Sequence, residues 1–225
     1  MELTIRTFGR IHGKKLSTRQ AWLVDNMLPA LIPNPQFPVP KNRKVILEIG
    51  FGAGEHLMHI AQTNPESLIV GAEPYMNGTA SLLSHMAQTG ANNDPSEIIK
   101  PEYRNIRIWP DDVRKLLSII NHQFSIIYIL HPDPWPKARH EKRRLLSSGF
   151  LGELARHLTP DGRIIISTDH GDYFDWILEQ LPKTNLKIAN DSEFTTPPEM
   201  GLDTRYKKKD MFGANKTQYL VLIKK

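Results

Sequence analysis

The stretch 45–63 constrains the fold of this chain more than any other. Residues 45–49 form a short apolar run rich in β-branched side chains, which predicts a buried parallel strand. Three glycines at alternate positions follow directly, Gly50, Gly52 and Gly54, and a helical pattern then begins. A strand, a tight turn and a helix N-terminus together present backbone N–H groups to a ligand. The plain alternative is a turn that only lets the helix pack closely on the strand.

Carboxylates near this turn indicate which ligand it would hold. Glu48 lies inside the strand, where it would repel a pyrophosphate but attract the sulfonium and ammonium groups of S-adenosylmethionine. Glu73 ends the next strand, at the spacing of an acid that accepts hydrogen bonds from ribose hydroxyls. Asp111 and Asp112 follow the third strand; one could accept from an adenine amino group and the other could cap a helix. An acid at the position of Glu73 would suit the ribose of NAD as well as that of S-adenosylmethionine. Glu48 distinguishes the two cofactors, because it would repel the pyrophosphate of NAD.

From residue 44 onward the hydrophobic pattern alternates between strands and helices. It predicts an α/β fold with a doubly wound, seven-stranded, mostly parallel sheet of the Rossmann-like type. The run 124–130 is the most apolar and is expected at the centre, and the final strand could pair antiparallel with its predecessor. Residues 160–162 read as a turn after a helix that carries Leu158. The predicted strands are 44–49, 68–73, 105–109, 124–130, 163–168, 185–189 and 218–223.

The pattern predicts two parts in the chain. Residues 1–40 read as a basic N-terminal arm with a short helix, capped by Ser17 or Thr18, and a proline-rich linker; residues 41–225 read as the catalytic domain. The arm carries one acid, Glu2, against the cations Arg6, Arg10, Lys14, Lys15 and Arg19. It would contact nucleic acid or remain a solvated tail.

Composition narrows the chemistry. The chain has no cysteine, which excludes a thiolate nucleophile, a zinc–thiolate site and an iron–sulfur cluster, and we expect no metal. The net charge of +5 favours a polyanionic partner. With no long apolar run and no apolar signal core at the start, the sequence predicts a cytoplasmic protein without a membrane span.

The segment His131-Pro132-Asp133-Pro134-Trp135-Pro136-Lys137 directly follows the central strand. This position lies at the carboxyl end of a parallel strand, where such sheets bind ligands. Three prolines restrict the backbone, as expected of a loop that must hold a carboxylate in one geometry. Asp133 could accept hydrogen bonds from the Watson–Crick edge of a base, and Trp135 could stack there or fill the core.

Basic clusters follow this loop. Five of the eight residues 137–144 are permanently cationic, which favours contact with RNA phosphates over a merely solvated surface. Residues 203–210 form a second basic cluster with an embedded Tyr206, typical of a loop that closes over a nucleotide. Asp169 ends the next strand and would orient a substrate or cap a helix.

Together these residues resemble the bacterial tRNA (guanine-N7)-methyltransferase family, over most of the chain. The resemblance implies methyl transfer from S-adenosylmethionine to N7 of a guanosine in the variable loop of tRNA, giving 7-methylguanosine, with tRNA as partner and no obligate protein partner. Two alternatives remain: methylation of another purine site in RNA, or a non-catalytic RNA-binding protein with the same fold. The motifs that carry the resemblance are Leu47-Glu48-Ile49-Gly50-Phe51-Gly52-Ala53-Gly54, Pro132 to Lys137, and Arg139-His140 with Lys142-Arg143-Arg144.

The resemblance also implies roles for single residues. Asp133 would be the catalytic residue and would also contact the cofactor. Alignment of the aliphatic Val113 selects Asp111 over Asp112 for the cofactor. The remaining cofactor residues would be Glu48, Gly50, Gly52, Gly54 and Glu73; the substrate residues Lys137, Asp169, Thr204, Arg205, Tyr206 and Lys207; and the RNA-binding residues Arg139, His140, Lys142, Arg143 and Arg144.

This sequence departs from the family pattern at two positions. His131 stands where the family usually has an aromatic residue. Lys207 stands where the C-terminal motif usually has a glutamate, and it would turn towards phosphate instead.

Overall fold

A computed structural model describes residues 7–9, 11, 13–33, 43–88, 98–190, 194–195 and 217–225. Its seven strands lie in the order β3-β2-β1-β4-β5-β7-β6, so β4 is central as expected. The chain divides into two compact units, Met1–Asn121 and His122–Lys225. Among the described residues, no helix has the length and apolar character needed to cross a membrane.

The first unit contains the three parallel strands that the sequence predicts. β1 (Val45–Ile49) pairs with β2 (Leu68–Ala72), and β2 pairs with β3 (Ile106–Trp109). Every residue of β1 and β2 is buried, which explains why their sequences show no polar alternation; Glu48 is the one charged residue in these two strands. The helices are α1 (Thr18–Asn26), α2 (Glu55–Thr63), α3 (Met76–Met86) and α4 (Val113–Ile119).

Helix α1 packs onto α3 instead of standing apart from the sheet unit. Ser17 caps it through a capping box with Gln20, as one of the two predicted caps. Its apolar face buries Leu23, and Met27 directly after the helix is fully buried too. Upstream, the Asn77 side chain donates to the carbonyl of Lys14 at 2.7 Å. The division into an arm of residues 1–40 and a catalytic domain stays a prediction.

The second unit contains the remaining four strands. β4 (Phe124–Leu130) runs parallel to β5 (Leu158–Thr168), and β7 (Gln218–Lys224) runs antiparallel to both β5 and β6 (Leu186–Ile188). The antiparallel pairing with its predecessor is therefore confirmed, and β7 also inserts between β5 and β6. The helices are α5 (Ser148–Arg156) and α6 (Gly171–Gln180).

The start of β5 differs from the prediction. Leu158 does not belong to the preceding helix but pairs with Phe124 in the sheet, and residues 160–162 continue the strand. A register shift between Phe124 and Ile126 accommodates this segment. A Cβ on Gly162 would lie 2.9 Å from the Phe124 carbonyl oxygen, so the glycine permits a close backbone approach instead of a reversal of the chain.

Candidate active site

The three glycines after β1 all adopt left-handed backbone conformations. Their φ angles are 77° at Gly50, 58° at Gly52 and 86° at Gly54, a region that costs other residues about 1–2 kcal/mol. The Gly50 N–H donates to the carbonyl of Ala72 at 2.8 Å, which fastens the turn to β2. A Cβ built on Gly50 or Gly52 would meet no atom within 4 Å, so the turn borders open space where a ligand can lie.

Glu73 supports this turn from the end of β2. Its buried carboxylate accepts hydrogen bonds from the Gly52 N–H at 2.8 Å and from the Tyr75 N–H at 2.9 Å. Each carboxylate oxygen has a further lone pair, so Glu73 can also accept from a ribose hydroxyl. The structure thus adds a supporting role that the spacing alone did not reveal.

Glu48 is the most deeply buried acid among the described residues of the first unit, with 3% of its surface exposed. Its Oε1 lies 3.3 Å from Nδ1 of His56, while its Oε2 has no hydrogen-bond donor among the described residues. Buried polar atoms are nearly always satisfied, so this oxygen fits a cationic donor from a ligand. His56 was not selected from the sequence, although its place in the first turn of the helix after the glycines was a usable signal.

Alanine substitutions at two glycines should separate cofactor binding from folding. We expect Gly52→Ala to fold with a penalty of about 1–2 kcal/mol, because only backbone strain opposes it, and to lose cofactor affinity by filling the open space. Gly78→Ala places its Cβ against the carbonyl oxygen of Gly52 and should lower the melting temperature more. Thermal denaturation and calorimetric titration with S-adenosylmethionine measure the two effects. Equal affinity for S-adenosylmethionine in Gly52→Ala and wild type would contradict a cofactor site beside this turn.

The two acids after β3 have separate environments. Asp112 is the N-cap of α4 and is buried; it accepts from the Arg114 backbone and guanidinium and from the Thr7 hydroxyl. Asp111 has a side chain 42% exposed, forms an ion pair with Lys115 at 2.7 Å and accepts from the Asp112 N–H. The structure therefore leaves Asp111 more accessible to a ligand, which supports the assignment by resemblance.

These environments predict that alanine at Asp112 lowers stability, whereas alanine at Asp111 does not. Burial opposes ionisation of Asp112, but hydrogen bonds from Arg114 and Thr7 outweigh it and lower its pKa. A lowered carboxyl pKa stabilises the fold above the unfolded-state pKa, and this contribution disappears as the pH falls through the folded pKa. We expect Asp112→Ala to cost about 1–2 kcal/mol near neutral pH and less in acid. Asp111→Ala should leave the free energy of unfolding nearly unchanged; chemical denaturation at several pH values tests both.

In the second unit, the loop after β4 contains two non-glycine residues in left-handed conformations. His131 has a φ of 49° and Trp135 a φ of 44°. Such strain persists only where neighbouring contacts hold the backbone in place. The His131 N–H donates to the Ser167 carbonyl at 2.8 Å, and its Nδ1 lies 3.8 Å from Oδ1 of Asp169. The histidine that replaces the usual aromatic residue thus faces a predicted substrate residue.

Asp133 lies between these two strained positions. Its side chain reaches solvent, yet the surrounding loop desolvates the carboxylate enough to raise its pKa. Lys137 is exposed at the start of a 3₁₀ helix, Ala138–Arg143. Asp169 does not cap α6, because the N-cap residue is His170, so the orienting role remains for Asp169.

Trp135 packs against the basic run instead of entering the core. It is half-buried, its ring meets His140 edge-on at 5.6 Å, and the Arg143 guanidinium lies 4.9 Å from its centroid. Arg139 and Lys142 are exposed, as phosphate-binding cations should be. Slight desolvation and the neighbouring cations lower the pKa of His140, which favours its neutral, hydrogen-bonding form. The predicted substrate residues Thr204, Arg205, Tyr206 and Lys207, and the arm residues Arg6 and Arg10, lie outside the described residues.

Comparisons with known proteins agree with these features. The model of a family described as "Putative methyltransferase" matches residues 42–219. A tRNA (guanine-N(7)-)-methyltransferase from Ruegeria sp. (strain TM1040) is 36% identical over 229 residues, covering 95% of this chain and 85% of that relative. The chain belongs to the tRNA (guanine-N7)-methyltransferase family. Another tRNA (guanine-N(7)-)-methyltransferase, from Caulobacter vibrioides (strain NA1000 / CB15N), is 34% identical over 215 residues. The alignment covers 92% of this chain and 90% of that relative.

Solved structures show that this family member has the methyltransferase fold. The 16S rRNA methyltransferase KamB superposes with a TM-score of 0.54 at 15% identity, covering 94% of this chain and 96% of that one. The 16S rRNA (adenine(1408)-N(1))-methyltransferase from Catenulisporales acidiphilia gives a TM-score of 0.52 at 13% identity, covering 97% and 98%. At these identities the likeness shows the fold alone. The predicted family and fold class are confirmed.

Proposed function

We propose that this protein transfers a methyl group from S-adenosylmethionine to N7 of a guanosine in the variable loop of tRNA. The near full-length similarity to tRNA (guanine-N(7)-)-methyltransferases carries the proposal. The basic composition suits a tRNA substrate, with a net charge of +5. The roles of individual residues follow from the chemistry of each site.

The first unit offers the groups that S-adenosylmethionine requires. The Oε2 of Glu48, which has no donor in the described part of the chain, suits a cationic group of the cofactor, and Glu73 suits its ribose hydroxyls. The open space beside Gly50 and Gly52 leaves room for the cofactor chain, and Asp111 is accessible for the adenine amino group. When bound, this cofactor supplies an electrophilic methyl group.

The second unit offers groups that suit a guanine. N7 of guanine has a lone pair and no proton, so no general base is needed for its methylation. An ionised Asp133 would accept from N1–H and N2–H of the base and would stabilise the positive charge that develops on it. Lys137 and Asp169 would hold the nucleotide, while Arg139, His140, Lys142 and Arg143 would contact tRNA phosphates. Pairing with His131 would keep the Asp169 carboxylate in one orientation.

The test is incubation of the purified protein with labelled S-adenosylmethionine and an unmodified tRNA transcript, followed by nucleoside analysis. The expected product is 7-methylguanosine, absent when the target guanosine of the variable loop is replaced by adenosine. A methyl group at a different position of a purine would instead support the alternative that the protein methylates another purine site in RNA. Binding of tRNA without any methylation would support a non-catalytic RNA-binding protein and overturn the proposal.

A further inference from the structure

Arg144 ends the basic run 137–144, but its side chain is not placed like those of the exposed cations. Arg139 and Lys142 are exposed, whereas Arg144 is half-buried. Its Nε donates a hydrogen bond to the carbonyl of Pro134 at 3.0 Å. Pro134 directly follows Asp133 in the chain, so this bond connects the basic run to the loop that carries the proposed catalytic carboxylate.

The guanidinium of Arg144 also lies against two aromatic rings of α6. Its central carbon is 5.7 Å from the ring centroid of Tyr173 and 5.0 Å from that of Trp176. The two rings stack on each other with centroids 5.7 Å apart. A planar guanidinium gains from such faces, both electrostatically and by packing. Trp176 is fixed in turn by its Nε1–H, which donates to Glu141 at 2.6 Å.

Arg144 and Asp133 both influence the ionisation of Tyr173. Tyr173 is fully buried, and burial is the main cause of its raised pKa. The Asp133 carboxylate raises this pKa further, while the Arg144 guanidinium lowers it. Both charges therefore act on one buried hydroxyl, in keeping with the contacts of Arg144 to Pro134 and to the rings of α6.

The loop itself needs such a contact. Trp135, the next residue after Pro134, has a left-handed backbone that costs about 1–2 kcal/mol for a residue with a side chain. A conformation of this kind is maintained only when its surroundings determine it. The hydrogen bond from Arg144 to Pro134 restrains the backbone at this point and joins it to the rigid face of α6.

We propose that Arg144 is a positioning residue, which fastens the loop Pro132–Lys137 to α6 and thereby holds Asp133 in place, and that it does not bind tRNA phosphate. This inference rests on the proposed function, since it assigns Arg144 a part in the same reaction. It replaces the role in RNA binding that the basic run suggested from sequence. Its Nε–H is already engaged by the Pro134 carbonyl, and its planar group already lies against the two rings.

The test compares Arg144→Lys and Arg144→Met with Arg139→Met, a matched change at an exposed cation of the same run. Both Arg144 variants should lower kcat at saturating tRNA by about 10–100-fold, because small misplacements at a reacting centre have effects of this size. Their Kd for tRNA and its salt dependence should stay as in wild type. Arg139→Met should instead weaken tRNA binding and reduce the slope of log K against log salt by about one.

A change at the aromatic face provides an independent check. Trp176→Leu removes the ring on which the guanidinium packs and removes no cation, so we expect a lower kcat with unchanged tRNA affinity. Full activity in Arg144→Lys, combined with weaker binding and a reduced salt slope in Arg144→Met, would overturn the inference. Thermal denaturation and cofactor titration show whether each variant is folded. If Arg144→Met does not fold, the kcat and tRNA affinity of Arg144→Lys and Trp176→Leu test the inference.

If the proposed function is wrong, the experiments give a result that differs from failure of the inference about Arg144. In that case wild-type protein yields no 7-methylguanosine, whatever the variants do. The position of Arg144 is then judged from tRNA binding alone. An unchanged affinity and salt slope in Arg144→Lys and Arg144→Met support the loop contact, and a loss equal to that of Arg139→Met contradicts it.

Discussion

Replacing Asp133 by asparagine is expected to lower kcat for tRNA methylation by about 10²–10³-fold, the usual effect of removing one preorganised electrostatic contact from an active site. Asparagine keeps the shape of the side chain but loses the charge that would stabilise the methylated base. Steady-state rates at saturating tRNA and cofactor measure the change. Wild-type turnover in this variant would remove Asp133 from the mechanism.

The pH dependence of the rate gives a second measure of the same carboxylate. Partial desolvation raises the pKa of Asp133, although its side chain reaches solvent, so its charged form is lost at a higher pH than in an ordinary aspartate. We therefore expect kcat/KM to fall on the acid side, with a midpoint shifted upwards from that of an ordinary aspartate. Asp133→Asn should lack this acid limb, and a limb that persists in the variant would assign the titration to another group.

Asp133→Asn should lower the rate of methylation but should not lower the stability of the fold. A raised pKa means that the folded state binds a proton more readily than the unfolded state, so ionisation of Asp133 reduces stability as the pH rises through this window. We expect Asp133→Asn to be at least as stable as wild type near neutral pH, with the difference fading at low pH. Chemical denaturation therefore distinguishes a catalytic loss from a folding defect.

Replacing Glu48 by glutamine is expected to weaken binding of S-adenosylmethionine by roughly 10–100-fold, because a hydrogen bond to a charged group contributes about 1.5–3 kcal/mol. The buried Oε2 of Glu48 has no donor among the described residues, so a cationic ligand would provide its natural partner. Glutamine offers the same volume without the charge. Isothermal titration with the purified protein measures the affinity.

Two controls sharpen this measurement. Glu55→Gln makes the same change at an exposed acid in the first turn of α2, and we expect its cofactor affinity to equal that of wild type. Titration with S-adenosylhomocysteine removes the sulfonium charge but keeps the ammonium. If Glu48 faces the ammonium, both ligands lose affinity equally in Glu48→Gln, whereas a loss limited to S-adenosylmethionine would indicate the sulfonium. Unchanged affinity for both would contradict the cofactor site.

Local pattern predicted most of the framework. The strand at 124–130, the helix at 55–63 and the helix cap predicted at Ser17 or Thr18, which is Ser17, agree with the structure, because each depends on neighbours within a few residues. The start of β5 was mispredicted for the same reason. Residues 160–162 have the composition of a turn, but pairing across the sheet with β4 decides their conformation.

In the candidate site, too, some features follow from local sequence and others depend on contacts between distant residues. Its acids could be selected from sequence, since an acid at the carboxyl end of a parallel strand lies where such sheets bind ligands. The resemblance selected Asp111 over Asp112, but the physical difference between the two acids lies in the hydrogen bonds of Asp112 with Arg114 and Thr7, the latter 105 residues away in the chain. The contact between Glu48 and His56 likewise depends on how α2 returns to β1.

The sequence alone determined the class of fold, the glycine turn with its buried acid and the family to which the chain belongs, because these depend on residue types at short, fixed spacings. The tertiary structure alone decided which charged groups are available to ligands. Glu73 supports a turn, Asp112 caps a helix and Arg144 lies against two aromatic rings, whereas Arg139 remains exposed. The physical reason is that the availability of a charge depends on burial and on partners distant in the chain, and neighbouring residues encode neither.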